Sequence, residues 1–438
     1  MERVILHCDM NSFYANVELL DYPELLDVPV AVCGNPSSRH GIVLAKNQPA
    51  KNFGIKTAET IWQAKKKCPN LVLLSPHHEK YTAYYRIING IYGRFTDMVE
   101  PFSIDESWLD VTASQTLFGA GKQIADTIRQ TVKEETGLTL SAGVSFNKIF
   151  AKMGSEYRKP DATTEITPSN YKDILWPMAI EEMFMVGKAT AAKLKQNNFH
   201  TIGQVALAKK ETIVALLGSH GSDLWDNVNG KNNSLVSFQS QKRQLQSIGH
   251  GMTFPKDLSD PKDICTAALA LSDKATARLR RHHLKAGGVK IDIKDPNFHL
   301  LSRQAQLPTA TNVRQDIYSL ALQLLSEALG YAIGGTSAPK LSGSGGKKSK
   351  TWKKGAPIRL LTITCINLTD AAQGEQLSLF DASFNKQNEK LSNLNDAMDE
   401  IRDKFGSGAI TYGRIVNNDI GLNTKTYAES HKKDDPEK

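Results

Sequence analysis

The first 167 residues alternate short apolar runs with segments of helical periodicity. Runs at 4–8, 30–33, 42–45, 71–74 and 141–145, and strand-like stretches around Val99 and Trp108, read as strands. Between them, 79–94 and 116–135 repeat apolar residues at three- and four-residue intervals and predict helices. The alternation predicts a mixed α/β domain over 1–167. From 168 to 233 there is no strand pattern, and short helical stretches broken by Gly187, Gly203, Gly218 and Gly221 predict a small all-α domain. Residues 234–243, in a stretch of Asn, Ser, Gln and Lys that starts at 231, read as an exposed linker. Beyond it come a strand at 245–254, a helix at 260–282, strands at 288–294 and 298–307, a helix at 312–329 and a strand at 358–366. That order, βαββαβ, predicts a ferredoxin-like domain over 244–370. Its last helix and strand are separated by 335–355, an insert of Gly and Ser with six lysines and no acids that is expected to be flexible. The remainder, 371–438, adds a helix at 386–404 and a polar end expected to be disordered.

Charge changes this picture more than composition does. The chain of 438 residues has 54 Lys+Arg against 46 Asp+Glu, a net of +8. Residues 231–370 alone hold 21 Lys+Arg and 9 Asp+Glu, a net of +12, which leaves the rest at −4. A basic segment beside a slightly acidic remainder is the footprint of a polyanion-binding module joined to something else. The competing reading is a solvated basic face. Five cysteines, Cys8, Cys33, Cys68, Cys265 and Cys365, form no CxxC, so neither a zinc module nor a disulfide framework is indicated. No apolar run approaches the roughly 18 residues of a membrane span, and no signal-peptide pattern precedes the first strand. A cytoplasmic protein with no membrane partner is expected.

Two constellations carry chemistry. Asp9 ends a buried strand just before a helix start, in His7-Cys8-Asp9-Met10-Asn11-Ser12-Phe13-Tyr14-Ala15. Side chains there project into the crevice where ligands bind, although an Asp in that place also serves as a helix cap. Asp105-Glu106 interrupts two apolar strand-like runs, where uncompensated acids would cost desolvation. Successive strand residues face opposite ways, so both acids serve one site only if the chain bends, as at a hairpin tip. Three carboxylates from separate strands, with no His or Cys cluster, suit hard ions such as Mg²⁺, and two such ions serve phosphoryl transfer. Lys51 and Lys159 are candidates to meet substrate charge.

In order and spacing, Asp9-Met10-Asn11-Ser12-Phe13-Tyr14-Ala15, Ser103-Ile104-Asp105-Glu106, Ser141-Ala142-Gly143-Val144-Ser145-Phe146-Asn147-Lys148 and Arg158-Lys159-Pro160 resemble the Y-family DNA polymerases of the DNA polymerase IV (DinB) type. The resemblance runs to about residue 415. It implies an α+β right-hand polymerase: palm and fingers at 1–167, a helical thumb at 168–233, a linker, and a little finger at 244–370. It also implies Asp9, Asp105 and the Met10 carbonyl as metal ligands, Glu106 completing the catalytic acids, and two Mg²⁺ ions. Tyr14 falls on the family's steric gate against ribonucleotides. Asn11, Ser12, Phe13, Gln48, Lys51 and Lys159 fall at the nucleotide. Asn11 stands where the family often has a second Asp, and Gln48 and Lys51 where it usually has Tyr and Arg.

The implied partners are primer-template DNA, deoxynucleoside triphosphates and a bacterial sliding clamp, and the chain is expected to act as a monomer. The implied role is low-fidelity lesion bypass in DNA repair and damage tolerance. Residues 183–194 resemble a helix-hairpin-helix, with Met185 in place of the first glycine and Gly187 and Lys188 at the DNA; the alternative is a plain helical turn. Arg278, Arg280, Arg281 and Lys290 are expected at duplex phosphates. Gln376, Leu377, Ser378, Leu379 and Phe380 resemble the clamp-binding peptide. Two rivals stay open: a nucleotide cyclase, which leaves the basic segment unexplained, and a noncatalytic DNA-binding scaffold, which leaves three acids without a partner.

Overall fold

The computed structural model describes residues 2–35, 41–240, 244–335, 352–353, 355–372, 382–416 and 418–422, without the side chains of 382–389. The chain forms two compact units, 1–242 and 243–438. Among the described residues no helix is long and apolar enough to cross a membrane.

The first unit contains strands β1 (Ile5–Met10), β2 (Val30–Cys33), β3 (Val43–Lys46), β4 (Val72–Leu74), β5 (Val99–Pro101), β6 (Glu106–Asp110), β7 (Leu140–Ser145) and β8 (Thr163–Ile166). They form a five-stranded sheet in the order β5-β6-β1-β7-β8 and a three-stranded sheet in the order β3-β2-β4. All six residues of β1 are buried. Leu6, Cys8 and Met10 pack with Ile88, Ile91, Ile124 and Ile128, while Ile5 packs with Trp108 and Ala151. Both faces of the strand are covered, so its two polar residues, His7 and Asp9, are buried along with the apolar ones.

The helix Lys148–Tyr157 lies flush on this sheet because of one glycine. A Cβ at Gly143 would sit 1.8 Å from the Ala151 carbonyl oxygen and 2.5 Å from the Ser155 nitrogen. His7 then secures the same helix through Nδ1, 2.7 Å from the Ser155 hydroxyl. The helix also carries Phe150 and Met153 into a core shared with Leu194, Ile202, Val205 and Ile213. The all-α segment is therefore packed onto the sheet unit and does not stand apart from it.

The expected exposed linker is, over 233–239, laid down on the first unit. Val236 is 2% exposed beside Ile5, Trp108 and Ala151. The buried pair Lys148–Glu100, 2.7 Å apart, holds this segment on both sides: Lys148 donates to the Leu235 carbonyl and Glu100 accepts from the Ser237 amide at 2.9 Å. A polar stretch with one well-placed valine needs no apolar run when its backbone groups find buried partners.

The second unit has strands β9 (Ser247–Leu258), β10 (Leu284–Lys294), β11 (Leu300–Thr311) and β12 (Ile358–Asp370), all paired antiparallel in the order β11-β10-β12-β9. With the helices Pro261–Arg281 and Arg314–Leu329 this is the expected βαββαβ order, each helix crossing over one intervening strand. The second and fourth strands are central, where a ferredoxin has its first and third. Val289, Ile291 and Ile293 join the core with the helices, while Lys290, Asp292 and Lys294 alternate onto the open face. The helix Ala382–Phe405, longer than the expected 386–404, buries Met398, and beyond it Ile415, Ile420 and Leu422 return to the core.

Gly143→Ala should lower stability by about 1–3 kcal/mol or more, because the added methyl must push the helix Lys148–Tyr157 off the sheet. Denaturant unfolding measures this, and an unchanged midpoint would contradict the close packing.

Candidate active site

β1 and the β5–β6 hairpin build the acidic wall of a cleft of about 420 Å³. Asp9 is registered directly opposite Glu106 across the strand pair. At the hairpin tip the Phe102 amide donates to the Glu106 carbonyl at 2.9 Å, and the Met10 amide donates to the Asp105 carbonyl at 3.0 Å. The tip is the bend that lets both acids face one cleft. Asp105 is oriented by the Ser103 hydroxyl at 2.5 Å.

Like charges opposed on a strand pair repel, and Asp9 is only 5% exposed. Burial first, and then a hydrogen bond with Glu106, push its carboxyl up to about 8. Two lysines from the flush helix and the turn after it relieve the crowding. Lys159 lies 2.9 Å from Asp9 and 3.0 Å from Glu156, and Lys152 lies 2.7 Å from Glu106. Against the cost of partial burial, Lys159 and then Lys152 hold the Glu156 carboxyl below its ordinary range. Carboxylate oxygens of Asp9, Glu106 and Glu156 lie within 4.8 Å of one another, close enough to share a cation. Hard oxygen donors without nitrogen or sulfur fit Mg²⁺. Asp105 lines the same cleft but stands outside that closest group.

The opposite wall is basic. Asn47, 2% exposed, accepts from the amides of Val30 and Ala50 and donates to the Val28 carbonyl, which fixes the helix Gln48–Asn52 at the end of β3. Gln48 and Lys51 then face the cleft together with Lys46, whose ammonium is 3.0 Å from the Thr57 hydroxyl. Burial, then Lys46 and Lys159, lower the Lys51 pKa, and Asp9 and Glu156 offset this only in part. Gln48 has a partner in Asn52 at 3.3 Å.

Asn11, Ser12, Phe13 and Tyr14 all line the cleft, and each also has a structural setting. The Asn11 side chain is spent internally, donating to the Ser141 hydroxyl and accepting from the Thr139 hydroxyl and the Asp161 amide. It holds the turn that presents Lys159, and it also lines the cleft. Phe13 is a core residue, 3% exposed. Ser12, at φ 48°, turns the chain between β1 and the helix Phe13–Leu19. Tyr14 is half-buried in the cleft wall. Lys46, Lys152 and Glu156 carried no sequence signal strong enough to be singled out. The nearest hint was the pair of lysines, Lys148 and Lys152, four residues apart on an otherwise apolar helix face.

Outside the cleft, Gly187 caps the helix Lys188–Lys195, and a Cβ there would meet no atom within 4 Å, so the fold itself does not require glycine. Met185 takes the left-handed conformation, φ 69°, that a glycine would adopt freely. Arg280 is corrected: its side chain is 8% exposed, with Nε 2.7 Å from Asp399 and Nη1 donating to the Asn312 carbonyl. Arg281 pairs with Asp403 at 2.7 Å, and Arg278 donates to the Gly249 carbonyl at 2.8 Å. Lys290 lies on the open sheet face, 3.0 Å from Asp292. Gln376, Leu377, Ser378, Leu379 and Phe380 lie outside the described residues.

Comparisons with known proteins agree with this geometry. Residues 8–156 match the model of the impB/mucB/samB family, and 245–379 that of its C-terminal domain. The chain is 41% identical to DNA polymerase IV of Acetivibrio thermocellus over 97% of its own length and all of the relative's. It is 33% identical to DNA polymerase IV 1 of Bacillus subtilis over 99% of its length and 97% of the relative's. A chimeric Y-family DNA polymerase built from Dbh and Dpo4 shares the fold at 21% identity and TM-score 0.70, over 83% of this chain and 98% of the other. With its acids at a strand end and a hairpin tip and its likeness to these enzymes running almost end to end, the chain belongs to the DNA polymerase IV type of the Y-family DNA-directed DNA polymerases.

Proposed function

We propose that the cleft performs Mg²⁺-dependent, template-directed extension of a primer 3′-hydroxyl with deoxynucleoside triphosphates, in the service of lesion bypass. The observation that carries this reading is the meeting of both signs of charge in one cleft: Asp9, Asp105 and Glu106, with Lys159 paired among them, and Lys46 and Lys51 on the other wall. A metal-bound triphosphate is a ligand that presents both signs at once.

Asp9, Asp105 and Glu106, with the Met10 carbonyl, would hold two Mg²⁺ ions, which supply Lewis acidity to the primer oxygen and neutralise charge on the departing pyrophosphate. Lys46, Lys51 and Lys159 take the triphosphate oxygens, and Lys159 exchanges Asp9 for phosphate as it does so. Three point charges on mobile stems do the work of a planar Arg fork. Tyr14 underlies the sugar and leaves no room for a 2′-hydroxyl. Asn11 acts indirectly, by holding the turn that bears Lys159.

DNA is held by both units. Gly187 and Lys188 open an accessible helix start to one phosphate. The open face of β10, with Lys290, lies along the duplex, and Arg278 and Arg281 add charge at its margin. Gln376, Leu377, Ser378, Leu379 and Phe380 dock the bacterial sliding clamp, and the enzyme works as a monomer.

Asp105→Asn should retain fold and DNA affinity while kcat/KM for extension with Mg²⁺ falls at least about 10³-fold, the scale of losing one ligand's stabilisation of the transition state. Single-turnover primer extension measures it, and a near-normal rate would contradict the assignment. On the DNA side, Lys290→Gln should shallow the slope of log affinity against log salt by about 0.9. Arg280→Gln should leave that slope unchanged and lower the melting temperature, since its partners are internal; the reverse pattern would return Arg280 to the DNA.

A further inference from the structure

Tyr14 is braced from behind. Its ring lies flat on that of Tyr81, with centroids 3.9 Å apart and planes 10° from parallel. His78 meets both rings edge-on, at 6.1 and 5.6 Å. The Tyr81 hydroxyl donates to Glu18. The same carboxylate accepts from the His77 backbone amide at 2.9 Å and lies 2.8 Å from the His77 ring Nδ1.

Glu18 is 1% exposed, and its helix neighbours Val17 and Leu19 are core residues. A carboxylate so placed is tolerated only when its hydrogen bonds are made. These partners come from His77 and Tyr81, at the beginning of the helix His78–Tyr92, where an anion is also favoured by the helix dipole. Glu18 follows Tyr14 by four residues in the helix Phe13–Leu19, so the two share one face. The buried charge thus ties one helix to the other and sets where the Tyr81 ring lies.

We propose that Glu18 is a positioning residue for sugar selection: through the Tyr81 hydroxyl it fixes the ring of Tyr14 against the cleft. This rests on the reading of Tyr14 as the residue beneath the sugar. Exclusion by contact requires a wall that does not yield. A ring free to swing to another rotamer admits one more oxygen, so the penalty against a ribonucleotide cannot exceed the cost of moving the ring. The stack supplies the stop behind Tyr14, and Glu18 supplies the stop behind Tyr81.

The test is the ratio of kcat/KM for a deoxynucleotide to that for its ribonucleotide, in Glu18→Leu, Tyr81→Phe and Tyr14→Ala and in each of the first two combined with Tyr14→Ala. Glu18→Leu and Tyr81→Phe should each lower the ratio about tenfold, the worth of a hydrogen bond to a charged group, chiefly by improved ribonucleotide use. In the Tyr14→Ala background neither should lower it further, because the wall they support is gone. Tyr81→Phe keeps the aromatic ring and removes only the hydroxyl that Glu18 holds, so it decides the matter if Glu18→Leu does not fold. An unchanged ratio in Tyr81→Phe, with selectivity lost in Tyr14→Ala, overturns the brace and leaves the gate standing. Full additivity with Tyr14→Ala marks a general structural loss and also overturns it. An unchanged ratio in Tyr14→Ala removes gate and brace together.

Discussion

The opposition of Asp9 and Glu106 across β1 and β6 is the constraint around which the first unit is arranged. Two acids facing each other at the edge of a buried sheet repel, and one of them is nearly sealed from water. The fold eases that repulsion by bringing ammonium groups within 3 Å, Lys152 to Glu106 and Lys159 to Asp9. Both lysines depend on how closely the helix Lys148–Tyr157 approaches the sheet, which depends in turn on the bare Cα of Gly143. A residue with no chemistry of its own therefore governs the balance of charge at the acids.

That balance makes the cleft exchangeable. Lysines that neutralise the acids do so as point charges on flexible stems, and Lys159 already divides itself between Asp9 and Glu156. A hard divalent ion is a denser positive charge for the same oxygens, and a phosphate is a better anion for Lys159 than a shared carboxylate. On the proposed reading, metal and triphosphate arriving together would give partners both to the acids and to Lys159. On the proposed reading Lys46 and Lys51, which line the same cleft as Lys159, would take part in the same exchange.

Elements whose signal is local were legible in the sequence. The βαββαβ order, the acid at the strand end and the need for a hairpin bend at Asp105-Glu106 all follow from periodicity and from the cost of burying charge. What was not legible depends on partners far along the chain. Arg280 reads as a free cation until Asp399, from the C-terminal helix, is seen to occupy it. The segment 233–239 stays largely exposed, as read, but its anchoring through Val236 and the backbone bonds to Glu100 and Lys148 has no local signal. Asn11 lies within a catalytic motif yet serves Asp161 and Ser141. Glu18 and Tyr81 are 63 residues apart, and neither side chain signals the other. Composition gives the number of charges on a segment and cannot say which of them fold packing has already used.

We read the Asp9–Glu106 pair as a cation site held in balance by lysines. The most direct measurement is calorimetric titration of the metal-free protein with Mg²⁺, without DNA or nucleotide. Saturable binding is expected in the wild-type protein and its loss in Asp9→Asn and in Glu106→Gln, with the fold of both variants retained. Equal binding in all three proteins would contradict it.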